Sequence, residues 1–318
     1  LILPFVVQIF AAVGLTGYLS FKNGQKAVNT LAVQVQSEVN QRVQQYLNTY
    51  LATPHQLNQI NLDAYRLGLL DLNNFQKTGQ YFWRQMRVFN VGYISFGNPK
   101  GEFIGIERLD DGNLLINEVS QKMGLGKLYV YESDARGDRA SRQDVKDYDP
   151  RVEAWYADAV KARKPIWSAV YQWDDKPEVL SISSSYPVFD RTNDRLLGIL
   201  SIDHILTQIG DYLQQIQVSR SGKIFIMERN GLLVASSASE APFRIVKGKA
   251  SRLGALESDE PLIRQAAQQL LDRFEDLDKI KNLEQLNFKI ERENNFLQVL
   301  PFQDRMGLDW LVVIVVPE

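Results

Sequence analysis

Cysteine is absent from the 318 residues, and histidine occurs twice, as His55 and His204. The first absence excludes a disulfide framework, a thiolate zinc cluster and a thiol nucleophile. It does not choose a compartment, because large extracytoplasmic domains often manage without bridges. Neither histidine has a His or Cys three or four residues away, so no helical metal pair can form. "DRTND" at residues 190–194 is acidic but lacks the Gly and terminal Glu of a calcium loop. No G-x-S-x-G, H-E-x-x-H or Gly-rich phosphate loop occurs, which removes the common hydrolase and nucleotide motifs and gives no reason to expect a cofactor. His204 follows Asp203 directly; on a strand their side chains leave opposite faces, a poor geometry for an acid–base pair. A basic surplus is also missing. Net charge is −2 and the pI is near 5.9, against the basic face that nucleic acid requires.

What is present is ample core: 45% apolar and 23% charged residues, the profile of one or two globular domains. Residues 1–21, "LILPFVVQIFAAVGLTGYLSF", carry no formal charge. As a helix they would extend about 31 Å, enough to cross a hydrocarbon core, and are expected to be a membrane anchor. A cleaved signal peptide would show an A-x-A-like site, and none precedes the next segment. Lys22 and Lys26 flank the C-terminal side, which taken alone places that side in the cytoplasm. Residues 22–60 read as a stalk helix. Val28, Leu31, Val35, Val39, Val43, Tyr46 and Tyr50 recur at steps of three and four and must bury against a domain or against a second copy in a homodimer.

From residue 88 the period falls to two. "VGYISF", "EFIGIER", "LLINEV" and "KLYVYES" read as strands, with "GNPKGE" as a turn. Residues 134–147 read as a charged loop. "VLSISSSYPVF" and "LLGILSID" are strands joined by the "DRTND" turn, and a helical connector follows them. "GKIFIMERNGLLVASS" is a hairpin on Asn230-Gly231, residues 259–286 read as helix, and two strands end the chain. The fold class is α+β, with helices gathered at the start and antiparallel sheets after them. "SYPVFDRTNDRLLGILSID" and "VLPFQDRMGLDWLVVIVVPE" each give an apolar strand with Pro, an Asp-Arg turn and an unbroken apolar strand. This internal repeat suggests two related sheet modules, residues 61–217 and 218–318.

"DYDPRVEAWYADA", residues 147–159, sets Tyr148, Trp155 and Tyr156 among Asp149, Arg151 and Glu153. With "WSAVY" and "GILSID" following in that order, the chain resembles the double Cache sensor domains of bacterial transmembrane receptors. The resemblance covers its whole length. It implies tandem PAS-like modules outside the cytoplasm in the cell membrane, and a small molecule bound in the membrane-distal one. It also implies a continuation to a cytoplasmic output such as a histidine kinase, a cyclase or phosphodiesterase, or a chemoreceptor. In the amino-acid-sensing branch, matching positions give Tyr148, Trp155, Tyr156, Tyr171 and Asp203 as ligand contacts. The branch's carboxylate-clamping Arg is Glu153 here, and its second acid is Trp173.

Residue chemistry reads this set as a cage. Aromatic faces hold cations at about 0.5–2 kcal/mol per contact, and Asp203 would pair with an ammonium group. Glu153 would repel a carboxylate where a guanidinium should clamp it. An amine, or another cationic or neutral solute, is therefore favoured over a zwitterion. The competing readings stay open: Trp155 and Tyr156 covering the end of a sheet, and a structural ectodomain with no ligand.

Overall fold

A computed structural model describes residues 2–318 except 174–175, 247–248 and 291–292; of these, the side chains of 2–7, 177 and 249–250 are not described. Helix α1 (Ile2–Arg66) contains the whole expected stalk. Its buried face is Ala32, Gln36, Val39, Asn40, Val43, Leu47 and Leu51. The stripe read from sequence differs: Val28 and Leu31 are exposed, because the sheets support the helix only from about residue 32 onward. Gln36 and Asn40 take interior positions because each finds a partner on the second sheet. Gln36 Nε2 donates to Phe296 O at 2.8 Å and Asn40 Nδ2 to Gln298 Oε1 at 2.6 Å. Such buried polar contacts fix the axial register of a helix that apolar packing alone would let slide. Among the described residues no helix is long and apolar enough to cross a membrane. The expected anchor, residues 1–21, opens with seven residues whose side chains lie outside those described.

Pro54 lies inside α1. It has no N–H for the carbonyl of Tyr50 one turn earlier. That carbonyl is satisfied from outside the helix, by His204 Nε2 at 2.5 Å. A carbonyl only accepts, so the His204 proton sits on Nε2.

Helix α2 (Phe75–Met86), capped by Asn74, leads into β1 (Tyr93–Gly97), β2 (Phe103–Arg108), β3 (Leu114–Val119), β4 (Lys127–Ser133) and β5 (Arg139–Asp147). Helix α3 (Ala154–Ala162), β6 (Ile166–Trp167), β7 (Tyr171–Trp173), β8 (Lys176–Phe189), β9 (Leu196–Ile205) and α4 (Thr207–Gln215) follow. The strands form one antiparallel sheet in the order β5-β4-β3-β2-β1-β9-β8-β6, with β7 also on β8. Residues 139–147 are thus an edge strand, where a loop was expected. Their side chains are mostly exposed, and an edge tolerates the charge that made them read as loop.

The second sheet contains β10 (Lys223–Glu228), β11 (Leu233–Ser236), β14 (Glu284–Ile290), β15 (Glu293–Gln303) and β16 (Asp309–Pro317), in the order β11-β10-β16-β15-β14. Between them lie a two-stranded ribbon, β12 (Phe243–Val246) with β13 (Lys249–Arg252), and helix α5 (Pro261–Phe274). The helix expected to reach residue 286 ends at Phe274, where Glu275 takes φ 62°. Leu286, Phe288 and Ile290 then alternate along β14, a period of two that the helical reading overran. The internal repeat is visible as β2-β1-β9-β8 against β11-β10-β16-β15, with Pro187 and Pro301 each in the strand before the closing turn. The α1 stripe packs on both sheets at once, sharing a core with Leu180 and Ile182 of the first and Val312 and Ile314 of the second.

Candidate functional site

Directly opposed residues of antiparallel strands share a face. One row across the first sheet reads Ser183, Asp203, Tyr93, Glu107. The next row on that face reads Ser185, Ser201, Ser95, Gly105, Asn117. Two carboxylates, an amide and four serines on a buried face need partners. Of these rows, Tyr93, Ser95, Glu107, Asn117 and Asp203 line a hollow of about 70 Å³.

Asp203 is 7% exposed. Its carboxylate accepts from Tyr171 Oη at 2.6 Å and Ser183 Oγ at 2.5 Å. Burial pushes its pKa up to about 6, while the hydroxyls of Ser183, Tyr171 and Ser201 and the indole of Trp173 pull it back down. The Trp173 N–H stands in that field without a hydrogen bond of good geometry. Burial and the adjacent Asp203 push the Tyr171 phenol well above its ordinary value, so it stays a donor.

Glu107 is 4% exposed, held by an ion pair with Lys176 and by Asn117 Nδ2 at 2.9 Å. Asn117 also donates to Tyr93 Oη at 2.5 Å, and its buried Oδ1 has no partner. The amide cannot turn over, because its oxygen would then face the Glu107 carboxylate.

The walls are aromatic. Phe103 meets Tyr148 edge-on at 5.2 Å and lies 6.0 Å from Trp155; Tyr93 meets Trp173 edge-on at 5.5 Å. Trp155 lies over Gly97, where a Cβ would come within 2.9 Å of its ring. Gly105 makes room for the rings of Tyr93 and Phe103 in the same way.

Six of the seven residues singled out from sequence line this one hollow: Tyr148, Glu153, Trp155, Tyr171, Trp173 and Asp203. Glu153 comes in at the start of α3, its carbonyl accepting from Ala157 N at 2.9 Å. Tyr156 does not line it; the ring is buried against Trp155 at 5.5 Å. Arg151 is turned outward and forks onto Asp149 at 2.8 and 2.7 Å.

Sequence reasoning missed Tyr93, Ser95, Phe103, Glu107 and Asn117, together with Leu128, Lys146 and Asp147. A signal existed for two of them. Glu107 and Asn117 occupy inward positions of otherwise apolar strands, as Asp203 does. Lys146 and Asp147 were hidden in the segment read as a loop. Among the described residues no group of three His, Cys, Asp or Glu is placed to hold a metal.

The profile of the Cache domain family matches residues 24–318. The methyl-accepting chemotaxis protein McpA of Pseudomonas putida strain KT2440 is 25% identical over 123 residues, which is 38% of this chain and 19% of that protein's length. The ligand-binding domain of Mlp24 with asparagine superposes with a TM-score of 0.52 at 18% identity, covering 89% of this chain and 92% of that one. The ligand-binding domain of the Pseudomonas aeruginosa PAO1 amino-acid chemoreceptor PctC, in complex with GABA, gives 0.54 at 17% identity, covering 88% and 97%. At these identities the two structures share a fold with this chain.

Proposed function

The chain belongs to the Cache domain family in its double Cache form, and from that premise we propose that it is the ligand-sensing region of a transmembrane signalling receptor whose first sheet binds a small amine. One observation carries the reading: a buried carboxylate, Asp203, held by hydroxyls inside an aromatic-walled hollow. An ammonium group there would gain a charge-assisted hydrogen bond in low dielectric and the faces of several rings. Against a zwitterion stand Glu153, in the place of a guanidinium clamp, and Arg151, already engaged by Asp149. At about 70 Å³ the hollow is small for an organic ligand, and on this reading rim side chains shift to admit one.

The route outward runs along β9. Asp203 faces the hollow, and its neighbour His204 faces α1, stacking on Tyr50 at 3.8 Å and bonding its carbonyl at the Pro54 break. A ligand that prefers one placement of Asp203 biases the grip of His204 on the stalk, and differential affinity for the two placements is all that signalling requires. The exposed Ile9, Phe10, Val13, Leu15 and Phe21 suit a membrane anchor, and the exposed Val28 and Leu31 suit a homodimer along the stalk.

The test is a thermal-shift and calorimetric screen of primary amines, zwitterionic amino acids and neutral heterocycles on the full chain. An amine at a hundred times its Kd should add about 2.7 kcal/mol of stability, and Asp203→Asn should remove the effect. A screen in which no compound raises the Tm would leave the structural ectodomain as the better reading, and one in which only zwitterions or neutral heterocycles do would overturn the amine.

A further inference from the structure

Lys176 does something a surface lysine has no need to do. Its ammonium pairs with the buried Glu107 carboxylate and lies 5.7 Å over the face of Trp173. Tyr93 meets the same indole edge-on. A carboxylate beside an aromatic face is the composition of an ammonium site, here filled by the chain's own ammonium. Glu107 and Trp173 both line the hollow that contains Asp203.

The sheet register sets the spacing of the two carboxylates. Glu107 and Asp203 are each directly opposite Tyr93, on β2 and β9, so they project from one face two strand spacings apart, roughly 10 Å. Asp203 is held by hydroxyls, whereas Glu107 is held by a tethered cation. That cation is replaceable. Lys176 is the first residue of β8, its side chain is 29% exposed, and its four-carbon stem lets the ammonium swing into water.

Resting on the amine reading above, we infer that Glu107 and Trp173 form a second ammonium subsite, and that the preferred ligand is a linear α,ω-diamine whose far ammonium displaces Lys176. A monoamine would reach Asp203 and leave Lys176 on Glu107. A diamine would exchange one ammonium for another at Glu107, so that step is nearly neutral. The gain comes from burying the methylene linker between Tyr93 and the aromatic walls. Lys176 is then a specificity device: it keeps Glu107 neutralised and denies that subsite to cations too short to span both carboxylates.

The experiment compares diaminobutane, diaminohexane and diaminooctane with the monoamines of the same length by calorimetry on the full chain. The best diamine should bind at least tenfold tighter than its monoamine. Glu107→Gln should erase that advantage, weakening the diamine by far more than the monoamine. Lys176→Met should tighten the diamine severalfold, by more than it changes the monoamine at Asp203, and enlarge the diamine-induced rise in Tm. A Lys176 with a purely structural role would instead show both ligands weakened in Lys176→Met. That result, or equal affinity for diamine and monoamine in the wild type, overturns the inference while an Asp203-dependent monoamine leaves the amine reading standing. If no amine binds and Asp203→Asn changes nothing, both fall together.

Discussion

The two sheets share the order of four strands, β2-β1-β9-β8 and β11-β10-β16-β15, but carry contrasting inner faces. In the second, β10 and β16 pair Phe225 with Val313 and Met227 with Leu311, and α5 covers them with Leu262, Ile263, Ala266 and Leu270. That face is apolar core beneath α5. In the first, the corresponding strands β1 and β9 pair Tyr93 with Asp203 and Ser95 with Ser201. Its cover is the nine-residue α3, which contributes Trp155 and Ala159. One architecture has been filled once with a helix and once with polar groups around a hollow. The fold therefore does not locate the site; the residues on the sheet do.

The comparison breaks most visibly if polarity is moved to the wrong sheet. Val313→Asp sets a carboxylate under α5 with no hydroxyls to receive it and should destabilise the protein by roughly 4 kcal/mol or more in denaturant unfolding. A loss below 1 kcal/mol would mean the second face is wetter than its packing implies. The converse change is next in size. Asp203→Asn keeps one oxygen to accept from Tyr171, leaves the Ser183 hydroxyl to turn to Ser201, and removes a buried charge whose pKa is raised from 3.8 to about 6. At pH 8 it should stabilise the ligand-free protein by up to about 3 kcal/mol and weaken amine binding by roughly a hundredfold. Stability gained together with function lost is what separates a site residue from a core residue at this position.

How far the sequence carried these conclusions depended on what each residue type signals. The central strands of both sheets were legible because a period of two survives wherever one face is buried, whereas β14 was overrun by the helical reading. The segment 139–147 was not, because an exposed edge strand has no apolar face to alternate. Trp155, Tyr171 and Asp203 were legible through their motif spacing. Glu107 was not, because its partner Lys176 is 69 residues away and only the β1–β2 register brings it onto the Asp203 face. Tyr156 shows the reverse: motif spacing marked it as a contact, whereas its ring is off the lining of the hollow and buried against Trp155. Sequence spacing reports which residues are near in a motif; pairing across strands decides which of them face the same space.

A smaller effect tests how the first sheet speaks to the stalk. His204→Leu leaves the Tyr50 carbonyl without a donor at the Pro54 break, at a cost of about 2 kcal/mol. His204→Gln should recover part of it, since its amide can donate. In a Pro54→Ala background the helix supplies its own N–H, so the cost of His204→Leu should fall by about 1 kcal/mol. Additive effects would show that His204 packs on Tyr50 without serving its carbonyl. The second sheet has no equivalent break in the helix to serve, because Gln36 and Asn40 grip the sheet with side chains instead.

The smallest predicted effect per step is also the most specific to the first sheet. An ammonium ligand needs Asp203 ionised, and burial has moved its pKa to about 6. Amine affinity should be flat above pH 7 and fall about tenfold per pH unit below 6. Ligand-free stability responds with the opposite sign. A carboxyl whose folded pKa is raised costs stability wherever it is ionised in the fold, so its penalty is full above about 6 and is relieved as pH falls toward 3.8. The two histidines act against this in the same window. Burial lowers His55 to about 4 and His204 to about 3, so both stay neutral in the fold. Their contribution is therefore full above the ordinary value of 6.5 and is lost as pH drops through the folded values. The difference between wild type and Asp203→Asn isolates the carboxyl, because both carry the same histidines. That difference should shrink from pH 8 to pH 4, and it should vanish at acid pH together with the amine's preference for wild type. If it stays constant across this range, or if amine affinity does not change between pH 5 and 8, then Asp203 is ionised throughout, and the charge that separates the two sheets is not held by burial.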